Sequence, residues 1–250
     1  MQPSTLVIEI PQARSMPATA MAYPLPPISY RGNRQVTIMF KTSPEVLANL
    51  VPAPLQPNPD QLLAFYSALM HVTAPMEWTY KEVGLLVPVS YNGRPGNYFV
   101  CLYLDTVEGI LAGREIWGFP KQQAEITYAE AEGGVTTSGE RMGFPLFKAS
   151  MRLETQLTEI PPSPPGPFFN LKIIPSVKRD APPDVLQLTA TEFVPETTEL
   201  YVGPATLEFG DSPFDHLNDI PILGLASAQF TVYSATLDYG EVVLDYLDLH

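Results

Sequence analysis

The segment Gly113-Arg114-Glu115-Ile116-Trp117-Gly118-Phe119-Pro120-Lys121-Gln122 carries the residues best suited to covalent chemistry. Lys121 follows Trp117, Phe119 and Pro120, so its amine is placed among apolar rings. Such surroundings remove the hydration that stabilises an ammonium ion and favour the neutral amine. A neutral amine attacks a ketone or aldehyde and forms an iminium, an electron sink for cleaving a neighbouring bond. The same residues also admit a plainer reading, in which the stem of Lys121 packs on the rings and its head reaches water. Other nucleophiles and ligands are sparse. Cys101 lies in an apolar, strand-like run and reads as a buried, inert thiol. His71, His216 and His250 are scattered without metal-ligand spacing, so neither a metal nor a cofactor is expected.

The elements that position Lys121 follow from periodicity. Pro120 pushes Phe119 toward an extended conformation, so Lys121 is expected to open a strand at a helix-to-sheet junction. The preceding helix is expected over Val107 to Ile116, although Gly109 and Gly113 each cost about 1 kcal/mol relative to alanine. A first helix is expected from Ser43 as N-cap, with Pro44 at the first helical position, to about Leu50. A short third one is expected near Phe214 to Leu217. Period-two alternation marks strands at Val36 to Phe40, Ala149 to Leu157, Ala205 to Phe209 and Ala228 to Val232. Leu85 to Tyr91 and Tyr98 to Leu104 are apolar on both faces and should be central strands. Asn92 to Gly96 should form the loop between them.

Twenty-eight prolines oppose long helices. The expected fold is mostly β, a β-rich α+β arrangement. Its antiparallel sheet is closed or folded into a barrel-like core, with a few peripheral helices. Residues 1–250 are read as one domain, with residues 1–30 as an extended proline-rich arm. Ile160 to Phe168 is read as a rigid linker or crossing loop. The formal net charge of −13 argues against nucleic-acid and anionic-membrane surfaces. It also requires a local cation if the substrate is an anion. No apolar run reaches bilayer length, and Met1 to Gln12 lacks the pattern of a secretory leader, so a cytoplasmic location is expected. The single cysteine fits a reducing compartment.

The order Gly-Arg-Glu, short spacer, aromatic-Pro-Lys resembles the segment around the Schiff-base lysine of the acetoacetate decarboxylase family. Further blocks resemble it in the same order: Asn33-Arg34, Val51 to Leu55, Val87 to Gly93, Leu171 to Pro175, Gly203-Pro204 and Leu217 to Pro221. That family is itself a standing example of a lysine activated in an apolar pocket. The resemblance implies Lys121 as the Schiff-base residue, with Arg34 and Glu82 as catalytic pocket groups. Arg34 would meet the substrate carboxylate, and Glu82 would orient Arg34 or move a proton. Phe119 and Tyr66 would line the substrate site. Two positions depart from the family pattern: Gln122 replaces a second lysine, and Tyr66 replaces a second pocket glutamate.

The resemblance implies a decarboxylase of a small β-keto acid working through an iminium on Lys121. An aldolase or dehydratase acting on pyruvate-like 2-oxo acids would use the same lysine. A non-catalytic ligand-binding β-barrel is a third reading, against which the retained nucleophile counts. The implied partners are a small keto-acid substrate and further copies of the same chain in a homo-oligomer.

Overall fold

The computed structural model describes residues 14–161 and 166–249. Residues 1–13 of the arm, residues 162–165 of the crossing loop, and His250 lie outside the described residues.

Among the described residues sixteen strands dominate: β1 (Ile28–Lys41), β2 (Gln56–Pro57), β3 (Leu62–Ala74), β4 (Trp78–Tyr91), β5 (Arg94–Leu104), β6 (Lys121–Gln123), β7 (Glu125–Ala131), β8 (Gly134–Arg141), β9 (Phe144–Arg152), β10 (Thr155–Gln156), β11 (Phe168–Ile174), β12 (Val185–Thr191), β13 (Glu196–Val202), β14 (Ala205–Phe209), β15 (Gly224–Leu237) and β16 (Glu241–Asp245). Twelve form one sheet in the order β10-β13-β15-β1-β3-β4-β5-β11-β12-β16, with β2 on β4 and β6 on β5. The other four form a small sheet, β14-β9-β8-β7. The large sheet has two ends and is not closed into a barrel. It is folded against the small sheet instead. Phe65 of β3 meets Phe147 of β9 at 5.1 Å between ring centres, within a core that draws Val36, Leu85, Val135, Leu146 and Phe230 from both sheets.

The opposite face of the large sheet carries a second apolar cluster, built from Tyr30, Ala64, Tyr66, Met70, Tyr80, Leu86, Phe99, Trp117 and Phe119. Side chains alternate across a strand, so each central strand feeds both clusters. That explains why β4 and β5, apolar on both faces, sit in the middle of the order. Burying one large apolar side chain contributes about 1.5–3 kcal/mol.

Three local expectations are refined. The loop between β4 and β5 is a two-residue turn, not five residues. Asn92 and Gly93 both adopt positive φ, 49° and 80°, the pattern of a tight turn matched to strand twist. Arg94 then pairs directly with Tyr91. The first helix, α1 (Pro44–Leu50), is capped by Ser43, whose Oγ accepts from the Val46 N–H at 3.3 Å. The second, α2 (Val107–Ala112), stops short of Ile116, and the chain widens into a π-helical turn over Gly113–Trp117. Near Phe214 to Leu217 the helical piece is a single 3₁₀ turn, Leu217–Asp219.

Candidate active site

The π turn ends at Gly118, whose φ of 78° is left-handed and closes the helix with little strain. Backbone groups there are held from several sides. The indole of Trp117 donates to the Asp238 carbonyl at 2.8 Å. Thr189 donates to the Trp117 carbonyl at 2.7 Å, and Lys172 to the Ile116 carbonyl at 3.1 Å. Arg114 donates to the carbonyl of Lys121 at 3.1 Å. Pro120 then delivers Lys121 as the first residue of β6, which runs parallel to β5 with Lys121 opposite Leu102.

Lys121 is 8% exposed and lies on the second-cluster face of the sheet. Its Nζ stands 5.4 Å from the ring centre of Phe119 and 5.9 Å from that of Tyr80. Oε2 of Glu82 lies 3.0 Å from Nζ. This is an ion-pair contact whose direction falls outside hydrogen-bond geometry. The other oxygen, Oε1, accepts from the Tyr66 hydroxyl at 2.6 Å. Burial first, and the Glu82 carboxylate second, hold the Tyr66 phenol well above its ordinary pKa, so it remains a donor. Tyr30, Tyr80 and Tyr233 are shifted upward in the same way, burial being the largest cause in each.

Small residues make room for this arrangement. A Cβ on Gly113 would fall 2.8 Å from Cε and 3.3 Å from Nζ of Lys121. A Cβ on Gly84 would fall 2.8 Å from Cζ of Tyr66. Lys121, Gly84 and Tyr66 lie in one row across the sheet, and Glu82 lies in the next row with Ala68 and Gln35. Beside the lysine segment a cleft of about 700 Å³ is lined by Arg114, Glu115, Phe119, Ile173 and Met16. Phe119 is common to the cleft wall and to the Lys121 surroundings. The arm borders this cleft, where the Tyr23 hydroxyl donates to Glu115 at 2.5 Å.

Of the residues singled out in the sequence, Lys121, Glu82, Tyr66 and Phe119 are brought together. Arg34 is not. It lies on the inter-sheet face, above the Phe230 ring at 5.2 Å, and grips Glu130 of β7, with Nε donating at 2.6 Å. Glu82 therefore meets Lys121 and Tyr66, on the opposite face of the sheet from Arg34. Gln122 is the next residue along β6 and points to the other side of the strand. Sequence reasoning missed Tyr80, whose ring lies near Nζ, and the closeness of Gly113 to the Lys121 stem. Gly113 had a visible signal, as a glycine inside a helical pattern. Cys101 keeps some exposed surface, yet burial pushes its thiol up to about 12. Among the described residues no group of His, Cys, Asp and Glu has an arrangement that could hold a metal ion, and no helix is long and apolar enough to cross a membrane.

A buried lysine paired with a carboxylate in an aromatic basin is the kind of group that can do covalent chemistry on a carbonyl compound. Comparison with known proteins narrows this. The family model described as "Acetoacetate decarboxylase (ADC)" matches residues 11–247. The chain belongs to the acetoacetate decarboxylase family and is a carboxy-lyase. The acetoacetate decarboxylase of Burkholderia lata is 32% identical over 248 residues, covering 94% of this chain and 96% of that protein. The crystal structure of acetoacetate decarboxylase from Legionella pneumophila superposes with a TM-score of 0.84 at 27% identity, covering 99% of this chain and 100% of that one. The enduracididine biosynthesis enzyme MppR, complexed with pyruvate, shares the fold at a TM-score of 0.81 and 20% identity, covering 94% and 98%.

Proposed function

We propose that the enzyme decarboxylates acetoacetate or a closely related β-keto acid through a Schiff base on Lys121. The observation that carries this reading is the Lys121–Glu82 pair at 3.0 Å, nearly closed off from water. Glu82 takes a proton from the ammonium, and the freed Nζ attacks the ketone carbon. The carbinolamine loses water and becomes an iminium. The bond to the carboxylate then breaks, CO2 leaves, and the electron pair moves through the enamine carbon to the iminium nitrogen. Protonation of that carbon and addition of water release the ketone and restore Lys121. Tyr66, held as a donor on Oε1, keeps Oε2 turned to the amine. The aromatic walls from Phe119, Tyr80 and Phe99 exclude bulk water from the charged intermediates.

A second reading keeps the iminium and changes the partner, joining a 2-oxo acid to an aldehyde and dehydrating the product. Tyr66 favours it, since a protonated phenol beside Glu82 can donate to a hydroxyl that leaves as water. The likeness in fold to MppR, complexed with pyruvate, is consistent with it. The test is CO2 release from acetoacetate by the wild type and by Lys121→Ala. Release by the wild type and its loss in the variant support decarboxylation. No release from acetoacetate, with consumption of pyruvate plus an aldehyde, would move the assignment to the second reading.

A further inference from the structure

A formal charge of −13 repels a keto acid from the surface as a whole, so an anionic substrate needs a local cation on its way to Lys121. Lys121 is itself matched by Glu82, Lys81 by Asp105, and Arg34 by Glu130. Arg114 is different. It is exposed and forms no ion pair among the described residues. Its one hydrogen bond there runs from Nη1 to the Lys121 carbonyl at 3.1 Å. That bond ties the guanidinium to the strand that carries the nucleophile and leaves Nη2 and Nε to meet a ligand.

Arg114 lines the cleft of about 700 Å³ beside the lysine segment, together with Phe119, Ile173 and Ile174. The two isoleucines are partly exposed and give the cation an apolar wall as its neighbour. The acid in the same lining, Glu115, is engaged elsewhere. Its Oε2 accepts from the Tyr23 hydroxyl at 2.5 Å, and its charge acts on Lys172. A second depression, of about 480 Å³, opens where β1 meets β15 and reaches Tyr30, a member of the second apolar cluster. There the base among the described lining residues, Arg31, is outnumbered by Glu192, Glu196 and Asp238. Of the two openings, charge therefore admits an anion through the first. Phe119 makes that route short, because it lines the cleft and its ring centre stands 5.4 Å from Nζ.

We propose that this cleft is a docking site for the anionic substrate, in which Arg114 grips the carboxylate and the wall of Ile173 and Ile174 takes the short carbon chain before the ketone passes Phe119 to Lys121. The inference rests on the Schiff-base reading of Lys121 for the identity of the ligand. A guanidinium offers parallel N–H donors that match the two oxygens of a carboxylate, and an isoleucine wall suits the aliphatic end of a keto acid. The cleft is far larger than a four-carbon acid, so it collects the substrate without enclosing it. Exposed charges are screened by salt, so docking weakens as ionic strength rises. The class of ligand taken is a small aliphatic carboxylate, and docking itself needs no ketone.

The test uses the intact enzyme with 3-hydroxybutanoate, which keeps the carboxylate and the carbon chain but has no ketone to react with Lys121. Its methyl ester is the uncharged counterpart. Calorimetric titration at low salt should show the acid binding about tenfold more tightly than the ester, with most of that preference lost in about 0.5 M sodium chloride. Arg114→Gln removes the charge, keeps an amide that can donate to the Lys121 carbonyl, and should bring acid and ester within about twofold of each other. Arg114→Lys restores a charge and should recover most of the preference. Arg31→Gln, at the other depression, should leave it within about twofold of wild type. Equal binding of acid and ester by the wild type would overturn the inference, as would a preference that survives in Arg114→Gln or falls equally in Arg31→Gln. Borohydride trapping of acetoacetate on the wild type is read separately. Absence of an adduct on Lys121 overturns the Schiff-base reading, while the titration still decides whether the cleft binds the acid through Arg114.

Discussion

Gly113→Ala is expected to separate activity from stability. The backbone at Gly113 is right-handed helical, φ −59° and ψ −44°, so alanine fits its conformation without strain. By helix propensity alone the change should stabilise the fold by up to about 1 kcal/mol. The side chain tells the opposite story. The new methyl would lie 2.8 Å from Cε and 3.3 Å from Nζ of Lys121, and nearer still to Cδ. Carbon atoms prefer separations of about 3.5–4.0 Å, so the lysine stem must shift by roughly 1 Å. The amine then leaves its place 3.0 Å from Glu82 Oε2. A displacement of that size at a reacting atom costs on the order of 100-fold in rate. Thermal unfolding should therefore show a midpoint within a few degrees of wild type, while kcat for CO2 release falls about 100-fold. Wild-type kcat in Gly113→Ala would refute the reasoning, because the methyl would then have found room that the geometry denies it.

Other perturbations test separate parts of the account. Tyr66→Phe removes the donor on Glu82 Oε1 and should lower kcat by more than it raises KM, as steady-state kinetics can show; an unchanged kcat would remove Tyr66 from the site. Asp215 is fully shielded and accepts from Arg141, Tyr103 and Ser212; Asp215→Ala leaves Arg141 without its buried partner and should destabilise the fold by about 3–5 kcal/mol in urea unfolding. Tyr30, Tyr66, Tyr80 and Tyr233 all have raised folded-state pKa values. Their contribution is fully present below the ordinary value near 10 and is lost as pH rises above it, so phenolate absorbance from these rings should appear only together with unfolding. Ile173, Val177 and Val242 are exposed apolar residues; light scattering is expected to find a homo-oligomer, and a 27.5 kDa particle would contradict that.

Much of the fold was legible because the central strands are unambiguous. Leu85 to Tyr91 could be nothing but a strand covered on both faces, and it sits in the middle of the large sheet. The lysine segment was legible through its proline, which forces an extended start to β6. The path of the sheet was not, since β11 and β6 join β5 in parallel after long excursions that no local pattern encodes. Arg34 shows where resemblance and physics part. It is in phase with Val36, Ile38 and Phe40, which face the small sheet, whereas Gln35 and Thr37 face Lys121. The alternation that identified the strand already put Arg34 on the far side. A register shift between Tyr30 and Asn33 puts Tyr30, in phase with Arg34 by number, on the lysine side, and sequence patterning gives no warning of such a bulge. The buried phenols were invisible for another reason: a tyrosine in an alternating strand looks the same whether its hydroxyl meets water or Glu82.

The central claim is that Lys121 forms the covalent intermediate, and peptide mapping by mass spectrometry after borohydride reduction tests it most directly. Enzyme reduced in the presence of acetoacetate should carry one adduct, on the peptide that contains Lys121, with CO2 release lost in proportion to labelling. An adduct on any other lysine, or full turnover with no adduct at all, would contradict the account.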